Sequence, residues 1–124
     1  MLGTFVEIQA FEANFAKLER AVEAAFLGIA HVHRLMSFHD PESDVSRMNR
    51  DAFYRPVRVH PWTWRVLKSA QEFSRDSDGI FDVTMARQLV KWNYLPKHNA
   101  RIGHSIWRDI IFNKNCHVRF RRPR

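Results

Sequence analysis

One long stretch of apolar residues at helical spacing constrains the fold of this chain more than any other feature. Between residues 15 and 36 the apolar side chains recur at steps of three and four, as they do along one face of an α-helix. The series is Phe15, Leu18, Val22, Ala25, Phe26, Ile29, Val32 and Met36. Asn14 precedes it, and an Asn side chain suits the N-cap position. The pattern predicts an amphipathic helix about 30 Å long, at roughly 1.5 Å per residue.

The rest of the chain alternates between short strands, helices and loops. Alternating apolar residues predict strands, whereas Pro, Ser and Asp clusters predict loops. In chain order the sequence predicts a strand over 4–10, the long helix, a loop over 37–44, a short helix near 45–49 capped by Ser43 or Asp44, a strand over 56–60, a helix from Pro61 to near Asp76, a segment with Ala86, Leu89 and Val90, a loop over 93–105, and strands over 106–112 and 116–120. This order indicates an α+β fold, with helices packed on a small, mainly antiparallel sheet, in a single partial domain spanning residues 1–124.

Composition excludes several classes of protein. Hydrophobic residues make up 45% of the 124 residues, with ten Phe and four Trp, which is enough to form a core. Cys116 is the single cysteine, so an internal disulfide is impossible. The apolar runs are too short for a membrane span. The start, Met1-Leu2-Gly3-Thr4, lacks the basic and apolar regions of a secretory signal, so we expect a cytoplasmic protein.

Positive charge is concentrated in the second half of the chain. Residues 1–60 carry seven Lys/Arg and eight Asp/Glu, a balance of −1, whereas residues 61–124 carry thirteen and five, a balance of +8. Four arginines lie within the last six residues: Arg119, Arg121, Arg122 and Arg124. Such a terminus attracts phosphates, so a basic module that binds nucleic acid or phosphate is an alternative function. An ordinary solvated basic terminus explains the same run of charge.

The stretch from Ser77 to Thr84 contains the best candidate for a binding loop. Gly79 can adopt a positive φ, which allows a sharp turn and close approach of the backbone to a ligand. Phe81 offers an aromatic face, Asp82 a carboxylate that accepts hydrogen bonds, and Thr84 a cap for the next segment. The alternative is a purely structural joint between helices, with Phe81 buried and Asp82 as a capping residue.

Common catalytic and metal-binding motifs are absent from the sequence. It contains no Walker-type loop, no Gly-x-Gly-x-x-Gly turn, no His-Glu-x-x-His and no Cys-x-x-Cys pair. Asp40, Glu42 and Asp44 alternate like calcium ligands, but an EF-hand needs Gly and Glu at its sixth and twelfth positions. Counted from Asp40, those positions hold Val45 and Asp51. The sequence therefore predicts no metal site within the chain.

Four stretches together resemble the FAD:protein FMN transferase (ApbE) family. Leu2-Gly3-Thr4 resembles the family's opening Met-Gly-Thr, with Leu in place of Met. The stretch from Leu35 through Phe38 and on to Asn49 resembles its Ser-Glu-x-Ser-x-x-Asn loop. Gly79-Ile80-Phe81-Asp82-Val83-Thr84 is similar to its Gly-Ala-Phe-Asp-Val-Thr turn, and Trp107-Arg108-Asp109 with residues 118–123 to its later hairpin.

The resemblance implies a function. Family members move the FMN part of FAD onto a threonine of a target protein, with magnesium and release of AMP. Such phosphoryl chemistry needs a cation to neutralise the developing charge. By resemblance, the FAD contacts in this chain are Leu2, Phe38 (where Tyr is usual), Ile80, Phe81 and Asp82. FAD and a threonine-bearing acceptor protein are then the expected partners, and nucleic acid is not.

The chain also departs from the family pattern. In the family the arginine-rich hairpin runs into an Asp-Leu-Gly-Gly-Ile-Ala-Lys-Gly segment, which supplies further FAD contacts and part of the magnesium site. The sequence ends at Arg124, before that segment. The expectation is therefore an FAD-binding N-terminal portion, truncated before the Asp-Leu-Gly-Gly segment and inactive by itself. Family members are often exported, in contrast to the cytoplasmic location expected above.

Overall fold

A three-stranded antiparallel sheet lies at the centre of the protein. The computed structural model describes residues 5–95 and 106–122. Within them the strands are β1 (Val57–Arg58), β2 (Ile110–Asn113) and β3 (His117–Phe120). Their order across the sheet is β1-β3-β2, which makes β3 the central strand. The predicted α+β fold with a small antiparallel sheet is confirmed.

Four α-helices accompany the sheet in the described parts of the chain. They are α1 (Phe15–Met36), α2 (Asp44–Asp51), α3 (Pro61–Asp76) and α4 (Ala86–Lys91), and a 3₁₀ helix, η1 (Trp107–Asp109), precedes β2. The predicted long helix and its cap are confirmed, because the side chain of Asn14 accepts a hydrogen bond from the Lys17 N–H. Ser43 caps α2 in the same way, and Pro61 is the first residue of α3, as predicted. Over 5–95 and 106–122, no helix combines the length and hydropathy that crossing a membrane requires.

The hydrophobic core lies where the sheet meets α2 and α3. Val118, on the central strand, is completely buried and pairs with Val57 on one side and Phe112 on the other. The buried members of the core are Met48, Ala52, Val57, Val59, Leu67, Ile110, Val118 and Phe120. Side chains on one face of β1 and β3 thus pack against one side of each helix, as alternation along a strand allows.

The predicted strand over residues 4–10 is wrong for residues 5–10, and Thr4 lies outside the described residues. Residues 5–10 form no strand, although their side chains alternate in polarity. A strand needs a neighbour to accept its hydrogen bonds, and none of the three described strands pairs with this segment. Phe5 and Phe11 are almost fully exposed as a result.

Two other predicted strands are shorter than expected. The segment predicted over 106–112 begins with η1, because an Asp109 carboxylate oxygen accepts a hydrogen bond from the Ile106 N–H at 3.1 Å and closes a turn. The segment predicted over 56–60 pairs as a ladder only at β1, although the Val59 N–H still donates to the Cys116 carbonyl at 2.9 Å. Most of the loop predicted over 93–105 lies outside the described residues.

A buried carboxylate joins α2 to the start of α3. Asp44 is 5% exposed, and one of its oxygens accepts hydrogen bonds from the His60 N–H at 2.8 Å and the Thr63 hydroxyl at 2.7 Å. The Arg47 guanidinium pairs with the other oxygen and also donates to the Arg58 carbonyl. Asp44, which the sequence placed in an acidic loop, therefore has a structural role here.

We expect Asp44→Ala to lower the free energy of unfolding by about 3 kcal/mol, because it leaves the Thr63 hydroxyl and the His60 N–H without their acceptor inside the protein. Asp76→Ala is the control: Asp76 pairs with Arg75 at 3.0 Å, but both side chains are 65% exposed. Its loss should change stability by less than about 1 kcal/mol. Urea denaturation of both variants measures the difference. Equal effects of the two substitutions would show that the Asp44 contacts do not stabilise the junction of α2 and α3.

Candidate functional site

The loop that follows α3 turns sharply on two residues with positive φ. Asp78 has φ 50° and Gly79 has φ 83°. The Gly79 N–H donates to the Ser74 carbonyl at 2.7 Å, which ends the helix. A Cβ atom at Gly79 would lie 3.4 Å from Nε1 of Trp107, so the backbone runs close to that indole ring. Glycine is required here mainly by its φ, which side-chain-bearing residues adopt only with strain.

Asp82 fixes the shape of the loop and attaches it to η1. One carboxylate oxygen accepts from the Thr84 N–H at 2.8 Å, and the other accepts from the Trp107 N–H at 3.4 Å. Upstream, the Ser77 hydroxyl accepts from the Phe81 N–H at 3.1 Å. The residue directly before α4 is Met85, which makes no side-chain capping hydrogen bond, and Thr84 precedes it.

η1 packs beside this loop, and we call the region where the loop after α3 meets η1 the α3–η1 corner. Trp107 is buried, and its carbonyl accepts from Gln71 Nε2 on α3 at 3.2 Å. The Arg108 guanidinium lies 4.4 Å from the centre of the Trp107 ring and 4.0 Å from Asp78 Oδ1. Its side chain is 60% exposed, so a positive charge stands at the edge of the loop.

An exposed apolar surface lies beside this loop. Ile80 is 92% exposed, Phe81 is 49% exposed, and Phe73 on α3 is 67% exposed. The rings of Phe73 and Phe81 meet edge to face, with centroids 6.4 Å apart. Exposed apolar side chains that adjoin one another commonly mark a ligand or partner site. We call Phe73, Ile80 and Phe81 the loop patch.

The structure places the predicted cofactor-binding residues in two separate parts of the fold. Ile80, Phe81 and Asp82 belong to the loop between α3 and α4. Phe38 belongs to the connection from α1 to α2, where it is half-buried, meets the His39 ring edge on and accepts a hydrogen bond from the Ser46 hydroxyl at its carbonyl. Leu2 lies outside the described residues.

Sequence reasoning did not identify Phe73, Gln71 or Trp107 as parts of this corner. Phe73 lies on α3 but is not among the buried residues of that helix, which are Thr63, Leu67, Ala70 and Ser74. Trp107 is 25 residues from Asp82 along the chain. The only sequence signal for Trp107 was its place in the Trp107-Arg108-Asp109 motif, because helical or strand periodicity does not relate residues so far apart.

The described residues of the loop offer some features that suit a ligand with a flat ring, such as FAD. A carboxylate accepts about four hydrogen bonds, so the two that Asp82 makes inside the loop leave capacity for a ligand. The exposed rings of the loop patch suit the flat faces of a flavin or an adenine. Among residues 5–95 and 106–122, no three His, Cys, Asp or Glu residues are grouped as metal ligands.

The ApbE family model matches residues 2–110, which include the Gly79–Thr84 loop and Trp107. The chain belongs to the ApbE family. The resemblance that the sequence motifs indicated is confirmed. The arginine-rich stretch from Val118 onward lies outside this match.

Solved ApbE structures share the fold. The ApbE protein of Thermotoga maritima is 25% identical, with a TM-score of 0.69, over 82% of this chain and 37% of that chain. The apo flavinyl transferase ApbE of Pseudomonas stutzeri is 16% identical, with a TM-score of 0.67, over 82% of this chain and 38% of that one. The chain thus spans little more than a third of the length of these relatives. No curated protein sequence matches the chain.

We expect Gly79→Ala to lower the free energy of unfolding by about 1–2 kcal/mol, because alanine is strained at φ 83°. Gly28→Ala is the matched control, because Gly28 lies inside α1 and a Cβ added there would meet no atom within 4 Å. That substitution should raise stability by up to about 1 kcal/mol. Chemical denaturation gives both values. Two changes of the same sign would contradict the conformational role of Gly79.

Proposed function

We propose that this chain is the FAD-binding portion of a transferase that moves FMN from FAD to a threonine of a target protein, with magnesium. The observation that carries the proposal is the family match over residues 2–110, within which the Gly79–Thr84 loop is held against Trp107 by Asp82. Membership of the ApbE family supports a flavin transferase; the substrate, the acceptor and the metal are parts of the proposal.

In this proposal the α3–η1 corner binds one flat ring of FAD together with polar groups beside it. Phe81 and Ile80 provide apolar contact, since both side chains are exposed to solvent. Asp82 accepts a hydrogen bond from a ribose hydroxyl or an amino group. Arg108 lies at the same corner, and its exposed guanidinium is suited to a phosphate.

Phe38 contributes a second contact in this proposal. It follows α1 directly and is only half-buried, so part of its ring is accessible to a ligand. The Ser46 hydroxyl donates to its carbonyl at 3.3 Å, and the Ser43 hydroxyl donates to the nearby Ser37 carbonyl, so side chains of α2 and its cap hold this connection in place. Aromatic stacking needs only a π face, so Phe suits this position as Tyr would.

Magnesium, where bound, neutralises negative charge that develops on the phosphoryl oxygens. The described residues do not fit such a site, because they contain no cluster of three metal-ligating side chains. We therefore assign no step of the transfer to a metal held by residues 5–95 and 106–122. The part of the reaction assigned to this chain is binding and orienting FAD.

FAD titration of the parent chain and of single variants tests the binding site. Phe81→Ala, Phe38→Ala and Asp82→Asn should each weaken FAD binding by about 1–3 kcal/mol, or roughly 5- to 150-fold in Kd, since a stacked ring or a hydrogen bond to a charged group contributes that much. Thermal unfolding of each variant, recorded in parallel, should show little change for Phe81→Ala.

The matched control for Phe81 is Tyr54→Ala. Tyr54 is also an exposed aromatic in an edge-to-face pair, with Phe53 at 5.1 Å between ring centroids, but it lies in the turn before β1. It should leave FAD binding unchanged. Absence of FAD binding in the parent chain, or equal weakening by Tyr54→Ala and Phe81→Ala, would contradict the proposed site. Lost stability at unchanged affinity would assign Asp82 or Phe38 a structural role alone.

Transfer itself should not occur with the 124-residue chain alone. The chain spans 37–38% of the solved relatives, and the resemblance places the magnesium ligands beyond the stretches that match. Incubation with FAD, magnesium and a threonine-bearing acceptor, read by in-gel flavin fluorescence, should show no covalent flavin. A longer family member is the positive control. A fluorescent acceptor band with this chain would mean that its own residues complete the catalytic site.

A further inference from the structure

The apolar stripe of α1 is only partly covered by the rest of the described protein. Leu18, Val22, Ala25, Phe26 and Ile29 recur at steps of three and four, so they share one face of the helix. None of the 22 residues of α1 is buried. Phe15, at the start of the stripe, is 75% exposed, and Phe26 is 49% exposed. A surface helix ordinarily packs such a stripe against another element.

α1 packs against both α2 and α3. The His31 ring packs edge to face against two rings at the start of α3. Its centroid lies 4.9 Å from that of His60 and 5.1 Å from that of Trp62. Successive residues of an α-helix are about 100° apart, so His31 lies roughly 200° around the axis from Ile29. The ring contacts with α3 are therefore made from a different face of α1 than the apolar stripe.

The segment before α1 has the residue alternation of a strand but no strand partner among the described residues. Val6, Ile8 and Ala10 alternate with polar residues, yet residues 5–10 form no strand. Phe5 is fully exposed and Phe11 is 93% exposed. The partly exposed helix stripe and the segment without a strand partner are adjacent in the sequence, so residues 5–29 form one stretch with much apolar surface exposed.

The comparison with solved relatives indicates what covers this region. The two ApbE structures match 82% of this chain but only 37% and 38% of their own length, so more than half of each fold lies outside the match. We infer that the stripe of α1 and residues 5–11 are the docking surface for the part of an ApbE fold that this chain does not match. That partner is a folded polypeptide with an apolar face and a free strand edge.

The charges beside the stripe favour a protein partner over a membrane. Helices that lie on membranes carry a Lys/Arg-rich polar face. The polar positions of the first half of α1 instead mix both signs: Lys17, Glu19, Arg20 and Glu23. Mixed charges around an apolar centre are typical of the rim of a protein interface.

Co-expression tests the inference. The 124-residue chain is produced with a tagged polypeptide comprising the part of the Thermotoga maritima ApbE protein outside the match, and complexes are sized by analytical ultracentrifugation. We expect a soluble one-to-one complex. Ala25→Asp places a charge on the stripe and should weaken the complex about tenfold or more, because an unpaired charge is unfavourable when buried.

Ala24→Asp is the matched control. It makes the same substitution at the neighbouring residue, which is also exposed but lies about 100° around the helix from Ala25. It should leave the complex intact, and circular dichroism should show equal helicity in both variants. Failure to recover any complex with the parent chain overturns the inference, as do equal effects of the two substitutions.

Two further outcomes also overturn it. If the 124-residue chain forms a homodimer that Ala25→Asp disrupts, the stripe binds a second copy of the chain. If the chain sediments with anionic vesicles, the stripe binds a membrane. The inference rests on the family match and not on FAD binding. FAD titration of the chain alone therefore separates its failure from failure of the proposed function.

Discussion

The carboxylate of Asp44 lies inside the protein, where a negative charge is unfavourable unless polar groups surround it. Three donors meet that requirement: the Arg47 guanidinium, the His60 N–H and the Thr63 hydroxyl. Arg47 also donates to the Arg58 carbonyl on β1. Because these residues lie on α2, on β1 and at the start of α3, the charge holds three elements in one arrangement. Met48 on α2, Val59 directly after β1 and Leu67 on α3 belong to the same hydrophobic core.

α3 connects the Asp44 network to the candidate site. Its N-terminal turn is attached to Asp44 through Thr63, and Gln71 near its middle donates to the carbonyls of Trp107 and Ile110. Its last turn leads into Gly79, whose backbone passes close to the Trp107 ring. The loop patch is therefore positioned by a rigid helix and a buried indole, although its own side chains are exposed. A rigid support of this kind favours binding because less order has to be created when the ligand arrives.

Large apolar side chains face outward on both long helices. On α3, Val66 and Phe73 are more than half exposed, while Thr63 and Ser74 are buried. On α1 no residue is buried at all. Small polar residues can line the inside of α3 because their hydroxyls find partners there: Thr63 on Asp44, and Ser74 on the Ala70 carbonyl at 2.9 Å. The outward apolar faces agree with a chain that spans little more than a third of its solved relatives.

Elements whose signals are local could be predicted from the amino-acid sequence alone. α1, its Asn14 cap, the Ser43 cap of α2 and the Pro61 start of α3 follow from side chains within four residues of the backbone groups they serve. The order of the motifs also identified the family. Which apolar face is covered became known only from the folded chain, because periodicity shows that a stripe exists and not what lies against it. The same holds for residues 5–10, which form no strand, and for the contact of Asp82 with Trp107, since both depend on partners distant in the sequence.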